Sequence, residues 1–275
     1  MKASELVLAP DGSLYHIRLT SDTLADRVLL VGDPDRIDMF KGIFDQVESE
    51  SRNREIHALT GIYHGVRLTA LSTGMGCDNI DIVMTELDVA AAGRRLQVVR
   101  IGTSGSLQAD IECGSTVASR YAIGLDGLMN YYLEWQPPLP DMERAFGAHM
   151  HLDSRMAAPY CVGCSEALLD RVGHGMHLGI TATAPGFYGP QGRAIRLHPS
   201  IDNLNERLAA FSYDGLAVTN LEMETSAIFG FSHLMGHQAL TVCLIIANRP
   251  CGTFLNDYHA PMRQLVGRVV ECLVQ

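Results

Sequence analysis

The chain has 275 residues, 47% of them hydrophobic, enough to bury the core of one large α/β domain and short for two. Its 31 acidic residues outnumber 21 basic ones and the isoelectric point lies near 5.5. That balance argues against nucleic acid or a membrane surface as partner, because both are polyanions that need a basic face, and it leaves small anions as the ligands of any basic cluster.

Along the chain, apolar β-branched runs alternate with helical patterns. RVLLVG at 27–32 reads as a buried strand, with a helix over 34–44 behind it. VRLTALSTG at 66–74 is the next strand. The clearest helix follows at 78–91, where Asp78 can cap and Ile80, Val83, Met84, Leu87 and Ala91 recur at helical spacing. QVVRIGTSG at 97–105 and STVASRYAI at 115–123 are further strands. Residues 125–160, with Trp135-Gln-Pro-Pro-Leu-Pro140, read as an excursion from the sheet. MHLGITATA at 176–184 and QALTVCLIIANR at 238–249 complete the strands, and helices are expected over 201–211, 224–235 and 260–274. This alternation predicts a mostly parallel or mixed sheet covered on both faces, with ligands at the C-terminal strand ends.

No apolar run reaches about 18 uncharged residues, and Glu5 and Asp11 interrupt the stretch where a secretory signal needs continuous apolarity, so the expected location is cytoplasmic. The seven cysteines are scattered among apolar neighbours and read as reduced core thiols; Cys161-Val-Gly-Cys164 has the spacing of half a zinc site or a redox dithiol but lacks a second pair.

Four constellations could carry chemistry. Gly32-Asp33-Pro34-Asp35-Arg36 follows a strand, with Asp33 suited to an N-cap and Pro34 to a first helical turn; it is either an ordinary turn or an oxyanion site made of free amides and Arg36. Arg100-Ile-Gly-Thr103-Ser104-Gly105 puts a guanidinium inside an apolar strand end, which requires either a structural ion pair or a bound anion. Phe187-Tyr-Gly-Pro-Gln191-Gly-Arg193 offers a stacking ring, an amide and a guanidinium, a set that fits a pyrimidine edge; the alternative is a solvated loop. LEMETSA at 221–227, read as a helix start, places Glu222 and Glu224 among apolar residues, either to complement the helix dipole or to accept hydrogen bonds from a vicinal diol.

Two other patterns fail. Gly74-Met-Gly76-Cys-Asp-Asn79 opens like a dinucleotide fingerprint but ends on Asn79, where close packing wants glycine or alanine. The pairs His149/His151 and His174/His177 come without HExxH or clustered carboxylates, which argues against metal catalysis.

Taken in order, YHIRLT, VGDPDR, NRE, STGMG, RIGTSG, the FYxxQGR segment, EMET and IIANR resemble the nucleoside phosphorylase I family, within it most closely the uridine phosphorylases, over nearly the whole chain. The resemblance implies a single domain over 1–275, a three-layer α/β/α fold with a mixed, partly barrel-like central sheet, assembled as a homodimer or a hexamer built as a trimer of dimers. It implies reversible phosphorolysis of uridine to uracil and α-ribose 1-phosphate, with inorganic phosphate as co-substrate and no cofactor. By motif, Gly32, Arg36, Arg100 and Thr103 would bind phosphate, joined by Arg54 from a neighbouring subunit. His16 would reach across the same interface to the ribose 5′-hydroxyl. Met223 and Glu224 would hold the ribose, Glu224 on its 2′ and 3′ hydroxyls, with Thr103 beside it. Phe187, Gln191, Arg193, Ile246 and Arg249 would take the base, and Arg193, Gln191, Arg100 and Glu224 would be catalytic. Bacterial members can hold a monovalent cation such as K+ at the dimer interface; the corresponding residues are Glu55, Met75 and Asn79.

The chain also departs from the family pattern. Pro185 stands where many members have the aspartate that protonates a purine, which disfavours purine nucleosides. Cys77-Asp78-Asn79 replaces small residues and proline beside the cation position. The competing readings are a purine phosphorylase or nucleosidase of the same fold and a catalytically silent nucleoside-binding paralogue. Arginines at 36, 54 and 100 argue against a hydrolase, since water needs no cluster of cations.

Overall fold

In the computed structural model, which describes residues 4–275, twelve strands join in one mixed sheet. The chain begins with β1 (Arg27–Val31), a 3₁₀ turn (Pro34–Arg36), α1 (Ile37–Lys41), β2 (Gln46–Asn53), β3 (Ile56–Tyr63), β4 (Val66–Ser72) and α2 (Cys77–Ala91). β5 (Gln97–Ser106), β6 (Thr116–Gly124), α3 (Pro140–Met150), β7 (Tyr160–Gly163), α4 (Glu166–Val172) and β8 (His177–Thr183) follow. The last part comprises α5 (Leu204–Ala209), β9 (Ser212–Tyr213), β10 (Leu216–Glu222), α6 (Thr225–Met235), β11 (Gln238–Asn248), β12 (Thr253–Phe254) and α7 (His259–Val274).

β5 is the hub of the sheet. It runs parallel to β1 and β11, and its C-terminal end meets the C-terminal end of β10 head to head, Gly105 opposite Leu221. Because β11 also pairs with β6, β6 with β8 and β8 with β10, these five strands close into a ring. β1, β4, β3 and β2 extend from it as an open wing.

Strand periodicity explains the layers. β1 sends Val28 and Leu30 into a core shared with Ile80 and Met84 of α2 and Ile228 and Phe231 of α6. Leu29 and Val31 point the other way, against Ile37 and Phe40 of α1 and Val266 and Val270 of α7. Alternate residues of one strand thus fill opposite cores, as a sheet between two helical layers requires. A third core packs Phe146 of α3 and Leu208 of α5 on the ring. This is the α/β/α arrangement with a partly barrel-like sheet that the resemblance implies.

Several local readings need correction. Leu221 and Glu222 end β10 and only Thr225 begins α6, so LEMETSA is a strand-to-helix junction and not a helix start. Asp78 does not cap α2: the cap position is Gly76, at φ +96°, and Asp78 sits in the first turn. The helix expected over 34–44 divides into the 3₁₀ turn and the short α1. Residues 125–160 contain α3, and Trp135 packs edge-on against Tyr160 with ring centroids 5.6 Å apart. All seven cysteines are free, and burial pushes the Cys164 thiol up to about 12 and raises Cys161 as well, which suits core thiols and not a redox pair. No helix among the described residues is long and apolar enough to cross a membrane.

Phe231 is fully buried and meets the Tyr132 ring edge-on at 5.2 Å. Phe231→Ala should cost about 3–5 kcal/mol of stability, read as a lower midpoint in urea unfolding.

Candidate active site

The C-terminal ends of β1, β4, β5, β10 and β11, with the loop after β8 and the turn around β12, enclose a cavity of about 790 Å³. Their convergence follows from the sheet: β1, β4, β5 and β11 are mutually parallel, and the head-to-head contact of β10 with β5 brings Glu222 to the same point.

One group of lining residues is basic. Gly32 follows β1, and its neighbour Asp33 accepts from the Asp35 amide at 2.9 Å, opening the 3₁₀ turn that delivers Arg36. The Arg36 side chain is buried, rests 5.6 Å from the Tyr258 ring centroid, leaves its Nε without a partner and forms no ion pair among the described residues. A buried guanidinium with no counter-charge is costly unless something anionic completes it.

Arg100 is also buried, but paired. Its guanidinium bonds Glu224, lies 3.4 Å from Oε2 of Glu222 and donates to the Cys243 sulfur at 3.7 Å. Gly102 makes this possible, because a Cβ there would collide with the guanidinium. Glu224 in turn accepts from the Gly76 amide at 2.6 Å. Glu222 faces away from solvent, where it accepts from the Thr183 hydroxyl at 2.8 Å and from the amides of Glu224 and Thr225 at 3.0 and 3.1 Å. Burial and the neighbouring Glu222 push the Glu224 carboxyl upward while Arg100 pulls the other way. Against the cost of burial, the two carboxylates raise the pKa of Arg100, so the guanidinium stays charged.

The third group belongs to the loop after β8. Arg193 donates from Nη1 to the Phe187 carbonyl at 2.5 Å and to Oε1 of Gln191 at 2.6 Å, and its guanidinium lies 3.9 Å from the Phe187 ring centroid. Arg249, at the end of β11, donates to the Gln191 carbonyl at 2.9 Å and ties this loop to the ring. Burial, then the charge of Arg249, lower the pKa of Arg193 to about 10, which still leaves it cationic at neutral pH.

The cavity therefore collects Gly32, Arg36, Arg100, Thr103, Phe187, Gln191, Arg193, Met223, Glu224, Ile246 and Arg249, together with Glu55 and Met75. His16 and Arg54 do not line it. His16 is gripped by Glu86, Nδ1 to Oε1 at 2.6 Å, and Arg54 is exposed at the β2–β3 turn with φ +55°. Asn79 lies behind Gly74, where a Cβ would meet its amide and the Glu55 stem. Among the described residues, ligand-like spacing of histidine and acids occurs at Asp38, Glu50 and His57, but Lys41 already bridges the two carboxylates at 3.1 and 2.7 Å. Sequence reasoning missed the far wall: Asn248, Thr253 and Phe254 line the cavity, and Tyr258 backs Arg36. The signal available for it was Phe254, an aromatic within the Gly252–Asp257 turn sequence, 61% exposed in the structure.

Residues 26–271 match the family model of the phosphorylase superfamily. The chain belongs to that superfamily. A uridine phosphorylase of Thermococcus kodakarensis is 29% identical over 248 residues, spanning 89% of this chain and 80% of the relative. A guanosine phosphorylase of Halorubrum lacusprofundi is 25% identical, spanning 86% and 84%. Among solved structures, a Trypanosoma brucei nucleoside phosphorylase described as showing uridine phosphorylase activity superposes with a TM-score of 0.84 at 29% identity, covering 98% of this chain and 99% of the other.

The burial of Arg100 rests in part on the acid behind it, Glu222. Glu222→Ala would leave Arg100 short of a partner and strand the Thr183 hydroxyl and two amides. Arg100 keeps Glu224, so the expected loss is about 1–3 kcal/mol in chemical denaturation, the usual cost of leaving buried hydrogen-bonding groups unsatisfied.

Proposed function

We propose that this chain is a uridine phosphorylase, converting uridine and inorganic phosphate reversibly to uracil and α-ribose 1-phosphate. The observation that carries the reading is the gathering, in one cavity, of an uncompensated buried Arg36 beside Arg100, a buried Glu224, and the Phe187–Gln191–Arg193 set. Each matches one part of the reaction: an anion, a diol and a pyrimidine edge. The Thermococcus and Trypanosoma proteins support the same substrate. The guanosine phosphorylase relative points to purines, but the loop here has Pro185 where a purine enzyme needs a proton donor.

Phosphate is held by Arg36, Arg100, the Thr103 hydroxyl and the amides following Gly32, with Glu224 and Met223 fixing the ribose. Arg100 serves both ends, because it already bonds Glu224 and so couples the anion to the carboxylate that takes the 2′ and 3′ hydroxyls. The N1–C1′ bond lengthens first. The sugar becomes oxocarbenium-like, phosphate stabilises that charge and attacks C1′ from the face opposite the base, and the bonding pair leaves with uracil. Negative charge then develops on the uracil carbonyl oxygens and ring nitrogen, where Arg193 and Gln191 are poised. No covalent enzyme intermediate is needed.

The proposal extends to a homo-oligomer acting as one folding unit per chain in the cytoplasm. His16, its Nδ1 tied to Glu86 and its side chain 28% exposed, and the exposed Arg54 are free to serve a neighbouring copy's cavity. Glu55 and Asn79, which flank Gly74 next to Met75, are the residues that would hold a monovalent cation beside that contact.

Absorbance of uridine and of inosine, each with and without phosphate, tests the reading: loss of uridine only when phosphate is present is expected, and phosphate-independent cleavage or preference for inosine would overturn it. Arg193→Ala should lower kcat for uridine roughly a hundredfold or more, since preorganised donors at developing charge contribute about 3 kcal/mol each.

A further inference from the structure

His57 sits in β3 and is 1% exposed. Its ring bridges two acceptors: Nδ1 lies 3.2 Å from the Pro34 carbonyl and Nε2 2.8 Å from Oε1 of Glu50. Both partners can only accept, so the bond to Pro34 needs a proton on Nδ1 and the bond to Glu50 needs one on Nε2. Pro34 belongs to the turn that lines the cavity beside Gly32 and carries Arg36. Within that turn the Asp35 amide donates to the Asp33 carboxylate and the Arg36 amide to the Asp33 carbonyl. Among the described residues, His57 is the one side chain from elsewhere that hydrogen-bonds the backbone of residues 32–36.

The other side of the ring is equally fixed. Glu50 is held by Lys41 at 2.7 Å, Lys41 by Asp38 at 3.1 Å, and Asp38 by Arg52 at 3.6 Å. The His57 amide donates to the Ser72 hydroxyl at 2.7 Å, and that hydroxyl donates to the Glu55 carbonyl at 2.8 Å. β2 and α1 thus hold one ring nitrogen through Glu50, β4 holds the His57 backbone, and the other ring nitrogen meets the anion turn.

We propose that His57 is a positioning residue for the phosphate half of the site: its Nδ1–H clamps the Pro34 carbonyl and so sets where the turn amides and Arg36 meet the anion. The inference rests on the phosphorolysis reading. Arg36 needs such a clamp because no ion pair of its own orients it, and a misplaced guanidinium loses the charge-assisted bonds that make it useful.

Two polar replacements separate this role from general packing. The amide of His57→Asn occupies the place of Nδ1 and keeps the bond to Pro34, whereas that of His57→Gln follows Nε2 toward Glu50 and gives up Pro34. Binding of inorganic phosphate to each full-length variant by calorimetry, with KM for phosphate and for uridine, reads the difference. Expected is about a tenfold weaker phosphate affinity and a matching rise in phosphate KM for the Gln variant, with Asn within about threefold of wild type and uridine KM unchanged in both, the scale of one lost hydrogen bond. Equal phosphate affinity in the two variants, a weaker Asn than Gln, or phosphate and uridine KM rising together would overturn it. Wild-type protein that binds no phosphate would instead remove the phosphorolysis reading, and this inference with it.

Discussion

A single guanidinium organises this molecule. Arg100 is buried inside a strand and has two carboxylates, Glu222 and Glu224, within bonding range. Such a triad is expensive to desolvate and contributes little net stability compared with an apolar replacement. It contributes definition: the guanidinium can be satisfied only if β10 ends where it does, if residue 102 has no side chain, and if the Gly76 amide reaches Glu224. Each condition fixes a different strand end, and the closed ring β5–β11–β6–β8–β10 is the arrangement in which all are met together.

The triad also makes the cavity electrically asymmetric. Two acids share one arginine there, while Arg36 stands a short way along the wall without any acid. The loop bearing Arg193 is organised differently, through its own carbonyl and amide groups and one strut from Arg249. The three parts of the site are therefore held in different ways: a triad within the sheet, a cation against an aromatic ring, and a loop braced on β11. The proposed chemistry asks most precision where the sheet supplies it.

Much of this was legible in the sequence, for identifiable reasons. The six long apolar strands declared themselves because each is buried on both faces, and the residues of VGDPDR, RIGTSG, FYxxQGR and EMET mark strand ends and the loop after β8, where polar atoms among apolar ones need a cause. What stayed hidden lacked such contrast. β2 reads QVESESRN, an exposed strand whose pattern carries no apolar alternation and whose register is set by β3. β10 was masked because LAVTNLE runs without a turn signal into the acidic junction before α6. Thr253 and Phe254 reach the cavity because β12 folds back on β11, a two-residue pairing with no periodicity to read. His57 carries no signal of its own in the sequence; its meaning depends on Pro34 and Glu50, neither of which is its neighbour in the chain.

The distribution of thiols has a practical consequence. Cys77, Cys161, Cys164 and Cys243 are held as protonated thiols by burial, and Cys113 and Cys272 are half-covered. Cys251 alone is exposed, and it lies in the turn between Arg249 and Thr253, two residues of the cavity wall. A maleimide dye at neutral pH therefore meets a natural attachment point at the rim of the pocket, on the protein as it stands, where its fluorescence would report on ligands entering the cavity.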